Sequence, residues 1–190
     1  MKKSTRTLIA VIGVIAVIVI ALIGSYNGLV KKQANVEESW SQVSVVLQRR
    51  ADLIPNLTET VKGYADYEQE TFTKVTEARK AFVNAGDDVN AQVEASNRLT
   101  SALDIWVNAV KEAYPELKAT EQFRALTDEL SGSENRISYA REKYNEQVKS
   151  YNTAIKTFPR NILAGIFGFD SFEYFKAADS ATQAPQVSFD

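Results

Sequence analysis

From Thr7 to Val30 the chain runs 24 residues without a charged side chain, and Leu8 to Ile23 is almost wholly Ile, Val, Leu and Ala. As a helix this stretch is about 36 Å long, and roughly 20 residues suffice to cross the hydrocarbon core. A core helix of a soluble protein is not usually apolar on every face over such a length. A cleaved signal peptide has a shorter apolar core and an A-x-A-like site, which this stretch lacks. A lipid-modified anchor would need a cysteine near Gly24, and the chain has none. The reading is an uncleaved, single transmembrane helix over residues 7–30, preceded by a short basic tail, 1–6.

Three basic side chains, Lys2, Lys3 and Arg6, precede the span, and Lys31 and Lys32 follow it. The positive-inside rule then leaves the N-terminus in the cytoplasm and the body outside the bacterial inner membrane, with a cytoplasmic body as the alternative. Gly24 and Gly28 form a G-x-x-x-G at the end of the span, a spacing that lets two helices approach closely.

Beyond the span, residues 31–158 show apolar residues at spacings of three and four, the amphipathic-helix signature. The stripes are Val36, Trp40, Val43, Leu47, Ile54, Leu57 and Val61; then Phe72, Val75, Ala78 and Phe82; then Val89, Val93, Leu99, Leu103, Trp106 and Val110. The last is Leu126, Leu130, Ile137, Tyr144, Val148, Tyr151, Ile155 and Phe158. Breakers fall at Gly63 to Asp66, at Gly86-Asp87-Asp88, at Tyr114-Pro115 and at Phe158-Pro159. Pro55 either separates two helices or kinks one. Length decides: a helix running on to Lys62 climbs about 48 Å, and helices over the following residues, Asp87–Ala113 and Leu117–Thr157 then bring the chain back to the membrane near Phe158. The expected fold is all-α, an antiparallel up-down-up-down four-helix bundle with a long kinked first helix and a long fourth.

Several segments together resemble the LemA family. They are Tyr26-Asn27-x-Leu29-Val30, Val36-x-x-x-Trp40, Gln48-Arg49-Arg50-x-Asp52-Leu53-Ile54-Pro55-Asn56-Leu57 and Val61-Lys62-Gly63-Tyr64. Thr76-Glu77-Ala78-Arg79, Glu134-Asn135-Arg136-Ile137, Ala140-Arg141-x-x-Tyr144-Asn145 and Tyr151-Asn152 join them. The resemblance covers residues 24–169. It implies a bacterial membrane protein with one span, a short N-terminal tail and an antiparallel helical bundle, and no established activity or cofactor. One branch of that family is associated with magnetosome membranes. Genes of the family often adjoin those for a TPM-domain protein or a membrane metallopeptidase, which points to envelope organisation.

Chemistry is constrained by what is missing. Without His or Cys, the commonest metal ligand, general base and thiolate nucleophile are gone. A di-iron bundle needs Glu-x-x-His pairs. No Walker loop, dinucleotide fingerprint or nucleophile elbow occurs. Only a carboxylate-only or Ser/Lys mechanism stays open to an enzyme, and the expectation is a non-enzyme with no cofactor and no metal. Of 22 basic residues five precede Gln33, leaving 17 against 24 acidic ones in the body. An acidic body does not suit nucleic acid.

Two polar constellations remain. Arg49, Arg50 and Asp52 on the first helix should meet Glu134, Arg136 and Arg141 on the fourth, as interhelical ion pairs that set register or as an anion site. Tyr144-Asn145 and Tyr151-Asn152 repeat at seven residues, so both tyrosines share a face. Their polar groups need partners, expected on the first helix or a neighbouring subunit. Candidate self-association or partner contacts are Gly24, Tyr26, Asn27, Gly28, Tyr144, Asn145, Tyr151, Asn152, Phe167 and Phe169. The apolar, aromatic segment 159–176 has three placements open to it: on the lipid, on the bundle base, or on the next subunit. Residues 177–190 read as a disordered tail. The leading functional reading is a membrane-anchored scaffold or organiser in the bacterial envelope, partnered by the membrane, by copies of itself and by other envelope proteins. The alternative is a receptor module taking a small anion or a partner peptide in the bundle.

Overall fold

A computed structural model describes residues 3–62, 69–86 and 88–176, with side chains from residue 7 onward except that of Gln69. Its described residues form six helices and no strand: α1 Lys3–Lys62, α2 Gln69–Asn84, α3 Val89–Ala113, α4 Pro115–Lys118, α5 Glu121–Lys156 and α6 Arg160–Phe167. The expected break at Gly63 to Asp66, the turn residue Asp87 and the tail 177–190 lie outside the described residues. The chain divides into two compact units, one of Met1–Ser41 with Lys143–Tyr174 and one of Gln42–Glu142 with Phe175–Asp190.

Helix α1 changes character along its length. Apolar residues between Leu8 and Ile23 are 44–69% exposed, and then Leu29 is fully buried. The stretch near the N-terminus is long and apolar enough to cross a membrane, with a mean hydropathy of 3.1 and nothing covering it. From Val36 onward the buried side recurs at alternating steps of four and three: Val36, Trp40, Val43, Leu47, Arg50, Ile54, Leu57, Val61. That is a heptad seam, and burying each of its large aliphatic side chains contributes about 1.5–3 kcal/mol. A charged residue, Arg50, occupies one of its positions.

In the first unit α1 and α5 run antiparallel. Trp40 meets Tyr144 edge to face with ring centres 5.3 Å apart, and Lys32 Nζ donates to Ser150 Oγ at 2.6 Å. Further along, the Arg160 guanidinium stands about 4.0 Å from where a Cβ on Gly28 would project. The chain thus returns beside Gly28 at Arg160.

In the second unit α1 and α5 are joined by ion pairs, Arg49 with Glu129 and Arg50 with Glu134. Helix α3 runs parallel to α1, since Ser44 bonds Gln92 and Arg50 bonds Thr100. Helices α2 and α3 form a hairpin in which Phe72 faces Trp106. Its turn depends on Gly86, whose φ of 61° is left-handed backbone that glycine adopts without strain. Asp88 caps α3 by accepting from Ala91 N at 2.9 Å.

Three expectations need correction. The fourth helix does not run unbroken from Leu117: Pro115 starts the single turn α4, and the chain restarts at Thr120, whose hydroxyl accepts from Phe123 N at 3.3 Å. Phe123 is buried, whereas Leu126 is only half-buried. Phe158 was placed in the core stripe, yet it lies past the end of α5 and is 76% exposed.

Pro55 does not interrupt α1. It has no N–H, so the carbonyl of Ala51, four residues back, loses its helical donor. Arg79 of α2 fills the gap: its Nε donates to Ala51 O at 3.0 Å, and Ala51 is fully buried. An unmet carbonyl there would cost about 1–3 kcal/mol. Arg79→Ala should lower stability to urea by that order. In a Pro55→Ala background, where an N–H returns to Ala51, the cost of R79A should shrink towards zero. A double-mutant cycle with equal costs in both backgrounds would refute the capping role.

Candidate functional site

The second unit contains a cavity of about 430 Å³ between α1, α3 and α5. Its charged walls are Arg50, Asp104, Lys111 and Glu134, its polar ones Asn108, Thr127, Ser131 and Asn135, and its floor Leu103, Val107 and Leu130. Arg50 enters from the heptad seam. Its Nη1 donates to Thr100 Oγ1 at 2.8 Å and to Glu134 Oε2 at 2.5 Å. Its Nε is buried with no hydrogen-bond partner. A buried guanidinium N–H without an acceptor is costly, so this atom is the chemically unfinished part of Arg50. Burial raises the Asp104 carboxyl above the usual range; Arg50 pulls it back and Glu134 pushes it up again.

The remaining members of the predicted charged set do not converge on the cavity. Arg49 and Arg136 both reach Glu129 Oε1, at 3.1 and 2.7 Å. Asp52 accepts from Gln48 Nε2 on its own helix at 2.8 Å. Arg141 lies 4.2 Å above the Phe175 ring and donates to Lys176 O at 3.3 Å. Burial lowers its pKa, opposed by Glu134. Glu129, Thr100 and Asp104 were not singled out from sequence. Each stands on a different helix turn from any motif, and only the packing brings it to Arg49 or Arg50.

The Tyr-Asn pairs belong to the first unit. Within the chain Asn152 bonds to the segment after α6 and not to the first helix. Its Nδ2 donates to Phe172 O at 2.9 Å and its Oδ1 accepts from Phe172 N at 3.0 Å. One side-chain amide thereby takes both main-chain groups of one residue in an extended segment, as a neighbouring strand would. Tyr144 Oη donates to Glu173 O at 2.9 Å, and the Tyr151 ring packs edge-on against Phe172 at 5.1 Å. Asn145 is half-buried. Burial, with Glu173 nearby, pushes the Tyr144 phenol up to about 12. Burial and the charges of Asp170 and Glu37 raise Tyr151.

At the end of the apolar stretch Tyr26 contacts Phe167 and Phe169 with ring centres 4.9 and 5.6 Å apart. Arg160 covers Gly28, whereas a Cβ on Gly24 would meet nothing within 4 Å. Asn27 is exposed.

The Tyr144 phenol has a pH signature. Below pH 10 it is protonated whether the chain is folded or not. Between pH 10 and about 12 the unfolded chain gives up this proton first, so stability falls as pH rises. Tyr144→Phe should cost about 1 kcal/mol at neutral pH, through the lost hydrogen bond. It should also flatten the decline above pH 10. Urea unfolding at neutral and alkaline pH measures both, and parallel pH curves for the two proteins would contradict the assignment.

Residues 39–189 match the LemA family. The chain is 27% identical over 157 residues to Protein LemA of Metamycoplasma hominis, covering 83% of this chain and 71% of that protein. It is 28% identical over 206 residues to magnetosome protein MamQ of Magnetospirillum gryphiswaldense, covering 94% of this chain and 75% of the relative. Magnetosome protein MamQ 2 of Paramagnetospirillum magneticum is likewise 28% identical, over 207 residues. With its exposed apolar helix and its all-helical body, this chain belongs to the LemA family of membrane-associated proteins.

Proposed function

We propose that this protein is a non-enzymatic, membrane-anchored scaffold of the bacterial cell envelope that assembles with copies of itself and with envelope partners. The observation that carries the reading is α1, a single helix whose first part is apolar and uncovered and whose later part is a buried heptad seam. Such a helix anchors and presents a body. The antiparallel α1–α5 pair of the first unit, the α2–α3 hairpin and the parallel α1–α3 contacts support an up-down-up-down four-helix bundle as that body. Two relatives bear the name of magnetosome proteins, which supports a role at a bacterial membrane. The flanking charges favour a cytoplasmic N-terminus and an extracytoplasmic bundle in the inner membrane. Gly24 and the exposed residues beside it are the surface offered for self-association. Mass photometry of the full chain in detergent should show particles larger than one copy. A strictly monomeric particle that captures no neighbour on crosslinking in cells would refute the scaffold reading.

One observation favours a second reading, a ligand-sensing module. Arg50 lines the cavity of the second unit, and its buried Nε has no hydrogen-bond partner. Arg50 and Lys111 are balanced there by Asp104 and Glu134, so a small polar guest with both charges suits the wall better than a simple anion. Free amino acids and short peptides, screened by thermal shift, should raise the melting temperature of the native protein and leave Arg50→Met unmoved. An equal response, or none, from both proteins argues for a purely structural Arg50.

A further inference from the structure

Helix α6 has two unlike faces. Leu163 and Ala164 are buried, while Ile162 is 53% exposed, Ile166 69% and Phe167 57%. Phe158, one turn before Ile162, is 76% exposed. On α6 Ile162 and Ile166, four residues apart, thus face outward without cover in this chain, with exposed Phe158 just before the helix and Phe167 at the edge of the face, its ring against Tyr26. Soluble surfaces seldom present so continuous an apolar stripe unless it meets something.

The position of the stripe identifies its occupant. Helix α6 is docked against the end of the apolar stretch of α1, with Arg160 over Gly28 and Phe167 and Phe169 on the Tyr26 ring. Tyr26, itself 37% exposed, follows directly on the uncovered run that ends at Ile23. The exposed face of α6 therefore continues the lipid-facing surface of α1. Tyrosine and phenylalanine suit the headgroup level, and cations such as Lys31 and Arg160 suit lipid phosphates. Gly168, at φ 71°, ends the helix and turns the chain away, with Phe169 N bonded to Ala164 O at 3.0 Å.

We propose that α6 is an interfacial helix. Its exposed Ile162 and Ile166, with Phe158 just before the helix, lie in the headgroup–acyl boundary of the same bilayer that α1 crosses, with Arg160 and Lys31 directed to lipid phosphates. This rests on α1 spanning the membrane. Amphipathic helices of this kind settle about 5–10 Å into the boundary. The stripe then acts as a second foot beside the anchor and fixes the tilt and rotation of α1 at the surface.

The absence of cysteine makes the test clean. An environment-sensitive fluorophore is attached to Ile166→Cys, to Val19→Cys as a reference inside the span, and to Glu38→Cys as a reference in water. All three side chains are exposed, so labelling leaves the core intact. Each full-length variant is reconstituted in vesicles of phosphatidylethanolamine and phosphatidylglycerol carrying spin-labelled lipid. The label on Ile166 should be blue-shifted and lose most emission to spin labels near the headgroup. The label on Val19 should lose most to spin labels near the chain ends, and that on Glu38 should lose little to either. If Val19 is quenched and Ile166 behaves like Glu38, the foot is refuted while the span stands. If Val19 is not quenched, the span fails and the foot fails with it.

Discussion

A single helix that must satisfy two solvents governs everything else in this chain. From Leu8 to Ile23, α1 has apolar side chains on all sides and no protein over them. From Leu29 the same helix needs apolar neighbours on one side and water on the other. Backbone hydrogen bonding demands helix in lipid and permits it in water. No break is required at the changeover, and none occurs between Lys3 and Lys62. What changes is the pattern, from apolar on every face to a heptad seam. Gly24, Tyr26 and Gly28 occupy the transition, where the returning chain packs against α1 through small and aromatic residues.

Much of this was legible in sequence because periodicity reports burial. The stripes of α1 and α3 were read correctly, as was the break at Gly86-Asp87-Asp88, since both follow from local rules. The misses share one cause. Phe158 is apolar and continues the spacing of α5, but the helix stops at Lys156, so spacing no longer predicts direction. Leu126 and Phe123 exchange roles because α5 begins afresh at Thr120, and its phase is set there. A restart of one residue is invisible to a sliding pattern.

The charged set was half legible. The reading set Arg49, Arg50 and Asp52 against Glu134, Arg136 and Arg141, and among these only Arg50 meets a member of the other group, Glu134. Glu129 could not be found from the same reasoning, because the long side chain of Arg136 reaches nearly two turns back along its own helix, where it meets Arg49 at the same carboxylate. Arg50 differs in kind from Arg49, which is exposed. It replaces an aliphatic residue at a seam position, with a short bond to Glu134 on one side and an unmet Nε on the other. A buried ion pair of this sort adds little net stability compared with a packed aliphatic residue, and its clearest use elsewhere is to fix register. At this position it also defines the wall of a cavity.

Main-chain groups that leave the helical ladder pose the last problem, since the described chain has no strand to receive them. Two solutions recur, and each uses a planar nitrogen-bearing side chain. Pro55 orphans the Ala51 carbonyl, and Arg79 donates to it from the next helix. The extended run after Gly168 carries free N–H and C=O groups, and Asn152 answers both at Phe172, with Tyr144 taking Glu173. In this structure the family motifs that contain these residues serve the backbone. They mark where the backbone departs from helix and a side chain must stand in for the missing partner. Satisfied in this way, the kink-prone turn at Pro55 and the segment after α6 are held by directional bonds where apolar packing alone would leave polar atoms unmet.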